Sequence, residues 1–529
     1  MRHVSPGAVS LRDRLGLNPL LPGWGRFLAC AVMGAVSVLG FAPFYLFPVP
    51  IVMLAGLVWL WLRVESAGQA LLLGLGFGLG YFLTGTSWVY VSMHDFGGMP
   101  WPIAGFATTF FCSYFALFPA AAGWLFARPR ARTWVRVTIL FPTVWALAEW
   151  TRGWTFTGFP WLALGYSQSP TGPLSGFAPV FGVYGVSLLA AACAGLLVCL
   201  AEASVSTRGG PLLRRAAASA RHPALALLAL LWLVGWALQR VPWTTPSGEP
   251  VTLSLIQGNI KQDMKWDPKW IEASLETYLK LTLQSRSRLI LLPETALPVF
   301  ANEIPRDYFE ALAQHARENG GDILLGVPEY LGGKHYYNSV ISLGTQPTHV
   351  YRKYHLVPFG DYFPHWGFLN WIMSALQIPM SDFSRGEPYQ QPLKAAGQRV
   401  AVNICYEDVF GEEIIRQLPA ATLLANFTND AWWGDSIASD QHLQMAQMRS
   451  QETGRFMLRA TNTGVTAVID RRGHVIAAAP KFVTTLLEGQ AQGYTGSTPY
   501  IVWGNWPFLA LSVAGVVLSL AWRREAKKD

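Results

Sequence analysis

Val402-Asn403-Ile404-Cys405-Tyr406-Glu407-Asp408 reads as the end of a strand, where an apolar run delivers a thiol and two carboxylates follow close behind. Similar short apolar runs recur on both sides of it, and strands are expected at 251–256, 289–293, 322–326, 338–343, 350–355, 400–405, 422–426 and 464–470. Helices are expected over about 268–285, 305–319 and 439–454. Continuously apolar strands separated by amphipathic helices imply a sheet covered by helices, and about 250 residues suffice for one such α/β domain. The stretch 357–388 is rich in Pro, Gly, Phe and Trp, too apolar for an ordinary surface loop and too broken for a helix, so a lid that dips toward lipid is expected there.

Outside this segment the chain changes character. It has 529 residues, 51% hydrophobic and only 14% charged, against roughly 25% charged in soluble domains. Crossing a bilayer takes about 20 mostly apolar residues, and eight stretches qualify, near 24–42, 44–62, 67–92, 103–127, 134–152, 178–201, 222–241 and 502–522. The first is expected to be a retained helix, because no small-residue cleavage site with a polar mature segment follows it. A polytopic helical membrane domain over 1–242, an α/β domain over 243–499 and a final helix with its tail over 500–529 are therefore expected.

Orientation follows from the basic residues, which resist translocation. Arg2, Arg12, Arg14 and Arg26 precede the helices; Arg63, then Arg128 to Arg136, then Arg208 to Arg221 occupy alternate connections; Arg523, Arg524, Lys527 and Lys528 end the chain. The intervening connections near 42–44, 93–102 and 153–177 carry no Lys or Arg. All basic clusters thus share the cytoplasmic side, and the α/β segment lies outside. The formal charge of +8 reflects this topology rather than nucleic-acid binding. Glu149 and Arg152, spaced i and i+3 near an outer helix end, are expected to pair.

Of five cysteines, Cys30, Cys112, Cys193 and Cys199 fall in apolar helices, so Cys405 has no partner in its own domain. It is either a buried apolar residue or a nucleophile. Glu294, in Leu-Leu-Pro-Glu-Thr, and Lys353, in Tyr-Arg-Lys-Tyr-His, also sit at or just past strand ends, which converge on one rim of such a sheet. A carboxylate can take the thiol proton and an ammonium can steady a tetrahedral oxyanion. No metal cluster or phosphate loop is apparent, and the chemistry needs no cofactor.

The order Glu, Lys, Cys in these contexts resembles the nitrilase, or carbon–nitrogen hydrolase, superfamily, whose domains are α-β-β-α sandwiches. More narrowly, Arg152-Gly-Trp-Thr-Phe-Thr-Gly-Phe-Pro-Trp161, Gly165-Tyr-Ser-Gln168, Gln257-Gly-Asn-Ile260, Lys265-Trp-Asp267, Asn429-Asp-Ala-Trp432 and Arg459-Ala-Thr-Asn-Thr-Gly464 resemble the apolipoprotein N-acyltransferase family of bacterial inner membranes. The resemblance implies Glu294 as general base, Lys353 as oxyanion stabiliser and Cys405 as nucleophile, supported by Trp266, Tyr406 and Glu407. Where the family usually has Glu after Val-Pro-Phe-Gly, this chain has Asp361, a carboxylate shorter by one methylene. The implied partners are a phospholipid acyl donor, a diacylglyceryl-cysteine apolipoprotein acceptor and the bilayer, with the protein a monomer and a thioester on Cys405. Phe359, Phe363, Trp366, Trp432 and Trp433 are candidates to line an acyl pocket that excludes water. The alternative is a membrane-anchored nitrilase or amidase that hydrolyses a small amide.

Overall fold

The computed structural model describes residues 23–129, 131–206, 222–265, 267–333, 335–362 and 382–522. Helices occupy all eight apolar stretches: α1 Gly23–Ser37, α2 Pro48–Trp61, α3 Ala67–Gly85, α4 Trp101–Ala127, α5 Phe141–Arg152, α6 Ala178–Ser206, α7 Pro223–Leu238 and, at the far end, Trp506–Ala521. By length and composition four helical segments, Gly23–Gly40, Ala67–Gly85, Trp101–Ala127 and Pro173–Val205, are long and apolar enough to cross a membrane, and α2, α7 and the last helix are shorter apolar helices. In the glycine-rich helix α3, a Cβ at Gly80 would overlap the Ala31 carbonyl of α1 and one at Gly74 the Pro119 carbonyl of α4. Glycine there lets three helices approach at backbone distance, which drives packing where no hydrophobic effect can.

The middle segment is a two-sheet sandwich. Its strands are β1 Val251–Gln257, β2 Leu289–Leu292, β3 Asp322–Tyr330, β4 Tyr336–Gly344, β5 Val350–Arg352, β6 Leu393–Ala395, β7 Gln398–Ile404, β8 Leu423–Thr428, β9 Met457–Thr461, β10 Ala467–Ile469, β11 Val475–Ala478 and β12 Thr485–Ala491. One sheet runs β12-β1-β2-β3-β4-β5 and the other β11-β10-β9-β8-β7-β6. Each has a parallel centre, β1-β2-β3 and β7-β8-β9, flanked by antiparallel strands. Alternate residues such as Leu253, Leu255, Leu289 and Leu291 meet Val400, Val402, Leu423 and Ala425 between the sheets. The opposite faces, with Ile256, Ile290 and Ile323 on one sheet and Leu424, Met457 and Ala467 on the other, pack under α8 Pro268–Gln284 with α9 Arg306–Glu318, and against α10 Ala438–Thr453. Both faces of each sheet are covered, which is why the strands read as unbroken apolar runs.

Four strands escaped the sequence reading. β6 is a three-residue edge strand, too short to show a period. β9 contains Arg459, fully buried, and a charge inside a short run masks its strand character. β11 and β12 are half exposed at sheet edges, so their apolar content is diluted.

α10 joins the two halves. Its Leu443 and Ala446 face the sandwich, whereas Gln441, Gln444 and Gln451 reach irregular segments of the N-terminal helical half. Gln444 accepts from the Ala42 amide at 2.9 Å and donates to the Ser169 carbonyl at 2.8 Å; Gln441 accepts from Trp161 Nε1 at 2.6 Å; Gln451 accepts from Ser169 Oγ at 2.8 Å. Buried non-helical backbone must find partners, and a primary amide offers both a donor and an acceptor.

The expected Glu149–Arg152 pair does not form. Arg152 donates to the carbonyls of Phe159 and Trp161 at 2.6 and 2.5 Å, and Glu149 accepts from the Leu164 amide at 3.0 Å and from Trp145 Nε1 at 2.9 Å. The loop returning from α5 presents backbone groups to both side chains, so each holds the loop rather than the other.

Candidate active site

β7 ends at Ile404, and Cys405 takes φ +53°, a left-handed conformation that a residue with a Cβ adopts at a cost. Glu407 enforces that turn. Its carboxylate accepts from the amides of Ile404 at 2.7 Å, Tyr354 at 2.7 Å and His355 at 3.1 Å, and from the Tyr351 hydroxyl at 3.0 Å. One buried side chain thereby ties the strand end that carries Lys353 to the turn that carries Cys405. Burial pushes the Glu407 carboxyl up to about 7, against the pull of those donors.

Glu294 lies two residues past β2 and Lys353 one residue past β5. The Lys353 ammonium, 2% exposed, is 3.5 Å from Glu294 Oε1 and 2.7 Å from Asp361 Oδ2. Asp361 also accepts from the Val357 amide at 2.8 Å, and its shorter side chain still reaches the ammonium. Burial works against the ammonium, but Asp361 and then Glu294 hold its pKa well above the ordinary lysine range. Glu294 is oriented further by Asn338 Nδ2 at 2.7 Å and the Asn429 amide at 2.9 Å. Burial, and then the Glu294 charge, push the Cys405 thiol well above its usual value, while Lys353 and the Thr428 side chain pull it down. This environment favours the neutral thiol over the thiolate.

Beneath this turn lies a fully buried ionic network. Arg459 reaches Asp408 at 3.1 Å and Asp430 at 3.0 Å, and His442 bridges the same two carboxylates at 2.7 and 3.2 Å. Burial and Arg459 pull the imidazole down, yet Asp408 and Asp430 leave it above its ordinary range. Asp408 belongs to the turn of Cys405, and Asp430 accepts from the hydroxyl of Thr428 at 3.0 Å. The network therefore fixes both strand ends that flank the thiol.

Of the residues singled out from sequence, Glu294, Lys353, Asp361 and Cys405 come together, with Glu407 behind them. Tyr406 turns away: its hydroxyl donates to the Gly158 carbonyl at 3.1 Å, and its ring stacks on Trp161 of the membrane domain. Trp266, Phe363 and Trp366 lie outside the described residues, as does 363–381 of the expected lid. Phe359 is 44% exposed. Trp433 packs on Trp88 and Trp161, and Trp432 meets Phe96, so these two contribute to the seam with the membrane helices. Sequence reasoning missed Lys265, 3% exposed, whose Nζ is 3.3 Å from the Glu294 carbonyl. It also missed Asn429, which acts through its backbone amide. Both stand in quoted motifs, but nothing in a sequence reveals that a lysine is buried.

A family model described as apolipoprotein N-acyltransferase N-terminal domain matches residues 33–196, and one described as carbon-nitrogen hydrolase matches residues 252–500. The chain is 51% identical to the apolipoprotein N-acyltransferase of Nitrosomonas europaea over 94% of its own length and 97% of that protein's. It is 44% identical to that of Methylococcus capsulatus, covering 93% and 95% of the two chains. Among solved structures, an amidase of the nitrilase superfamily from Nesterenkonia AN1 aligns with TM-score 0.37 and 17% identity over 50% of this chain and 98% of that one. With 51% and 44% identity to such relatives across nearly their whole length, the chain belongs to the apolipoprotein N-acyltransferase family.

Proposed function

We propose that this enzyme moves an acyl chain from a phospholipid to the free amine of diacylglyceryl-cysteine at the N-terminus of an apolipoprotein, through a thioester on Cys405. Glu294 takes the thiol proton as sulfur attacks the donor ester. The oxyanion forms beside the Lys353 ammonium, and its collapse expels a lysophospholipid, whose oxygen takes the proton back from Glu294. The acceptor amine then attacks the thioester, Glu294 receives its proton, and collapse leaves an amide and restores the thiol. The observation that carries this reading is the buried Glu294–Lys353–Asp361 array beside the left-handed Cys405 turn.

The same reading assigns 1–242 to a membrane domain of seven spans, 243–499 to a periplasmic catalytic domain and 500–529 to an eighth span and cytoplasmic tail, in a monomer of the bacterial inner membrane. Its support is that Tyr406 and Val409 belong to the same apolar cluster as the N-terminal helices and that Cys405 packs against it, as expected of a thiol that meets its donor at a bilayer. Purified protein given dipalmitoyl phosphatidylethanolamine and a diacylglyceryl lipopeptide should yield lysophospholipid and a lipopeptide heavier by one palmitoyl group. Free palmitate with an unmodified lipopeptide would favour a hydrolase instead.

A further inference from the structure

A buried cation is costly unless a carboxylate or several carbonyls surround it. Three buried arginines among the described residues meet that condition: Arg459 and Arg449 have carboxylate partners, and Arg455 donates to the carbonyls of Ala421, Thr453 and Gly496. Lys265 is the exception in the active site. Among the described residues, its ammonium has one acceptor, the Glu294 carbonyl at 3.3 Å, and no carboxylate within ion-pair distance. An ammonium carries three N–H donors. Lys353, by contrast, is already engaged by Asp361 and Glu294.

We propose that Lys265 is a second cation of the site, held ready to bind an anionic oxygen of the acyl donor. The inference rests on the reading of Cys405 as the acylated nucleophile. Lys265 ends the Lys261–Lys265 turn, whose closing hydrogen bond runs from the Lys265 amide to the Lys261 carbonyl, and it reaches from there to the loop that carries Glu294. Its charge is felt at both Glu294 and Cys405, and burial draws its pKa down to about 8. An arriving anion supplies the compensation that the described residues do not. Two oxygens of a phospholipid donor have this chemistry, the tetrahedral oxyanion formed on sulfur attack and the phosphodiester of the head group.

The test uses full-length protein in detergent micelles and follows single-turnover acylation of Cys405 by mass spectrometry, with dipalmitoyl phosphatidylethanolamine and, separately, p-nitrophenyl palmitate, which has no phosphate. Lys265→Met removes both charge and hydrogen bond, Lys265→Gln keeps a donor for the Glu294 carbonyl without charge, and Lys265→Arg keeps the charge. Met and Gln variants are expected to lose acylation alike, on the order of 10²-fold, with Arg retaining most of it. Loss of rate with both donors identifies the oxyanion; a raised KM confined to phosphatidylethanolamine identifies the phosphodiester. Wild-type rates in Lys265→Met, or rescue by Lys265→Gln, would make the lysine a structural clamp and overturn the proposal. A wild-type protein that acylates with neither donor would instead remove the reading of Cys405.

Discussion

At the scale of single residues, the site is governed by opposing charges around one thiol. Glu294 raises the thiol pKa and Lys353 lowers it, so their removal has opposite signs. Glu294→Gln removes the proposed base and should cut acyl transfer by about 10²–10⁴-fold, yet it also removes the charge that disfavours thiolate. Iodoacetamide should therefore alkylate Cys405 faster than in wild type at the same pH, and Lys353→Met should slow it, both read by peptide mass spectrometry; the reverse order would show that the charges do not act on this thiol. Asp361 makes a second case. Asp361→Asn leaves the buried ammonium leaning on Glu294 alone, with a destabilisation of up to about 3–5 kcal/mol, while Asp361→Glu should keep the pair; thermal melts of the two variants separate these outcomes. The convergence of Glu294, Lys353 and Cys405 was legible because all three stand at or just past strand ends. Lys265 and the partners of Glu149 and Arg152 were not, since burial and the path of a returning loop are set by the fold rather than by local spacing.

At the scale of elements, the helix α10 is the least ordinary part of the molecule. A helix this polar reads as a solvent-facing surface, whereas its glutamines satisfy loops of the membrane domain. That role was invisible in sequence, because it depends on irregular backbone near Ala42 and Ser169, remote in the chain. Gln444→Leu preserves helix propensity and shape but strands the Ala42 amide and the Ser169 carbonyl, at about 1–3 kcal/mol each. The expected result is a lower melting temperature with near-normal acylation per folded molecule; an unchanged melt would mean that the seam holds without these bonds. The apolar strands of the sandwich were readable for the opposite reason: being covered on both faces, they owe their composition to burial alone.

At the scale of the whole molecule, two demands meet. A bilayer requires long apolar helices, and these were the plainest feature of the sequence; the proposed thioester requires Cys405 near the seam between helices and sandwich, and its packing against the helical cluster emerges only in the folded chain. The basic clusters on alternate connections predict that a reporter fused after Asp529 behaves as cytoplasmic, while one inserted after Gly248 behaves as periplasmic. Identical behaviour of the two fusions would refute the proposed topology. One covalent bond decides the proposed mechanism. Protein incubated with dipalmitoyl phosphatidylethanolamine alone, then digested and analysed by mass spectrometry, should carry one palmitoyl group on the peptide of Cys405, released by hydroxylamine and absent from Cys405→Ala; a wild-type peptide that remains a free thiol would contradict it.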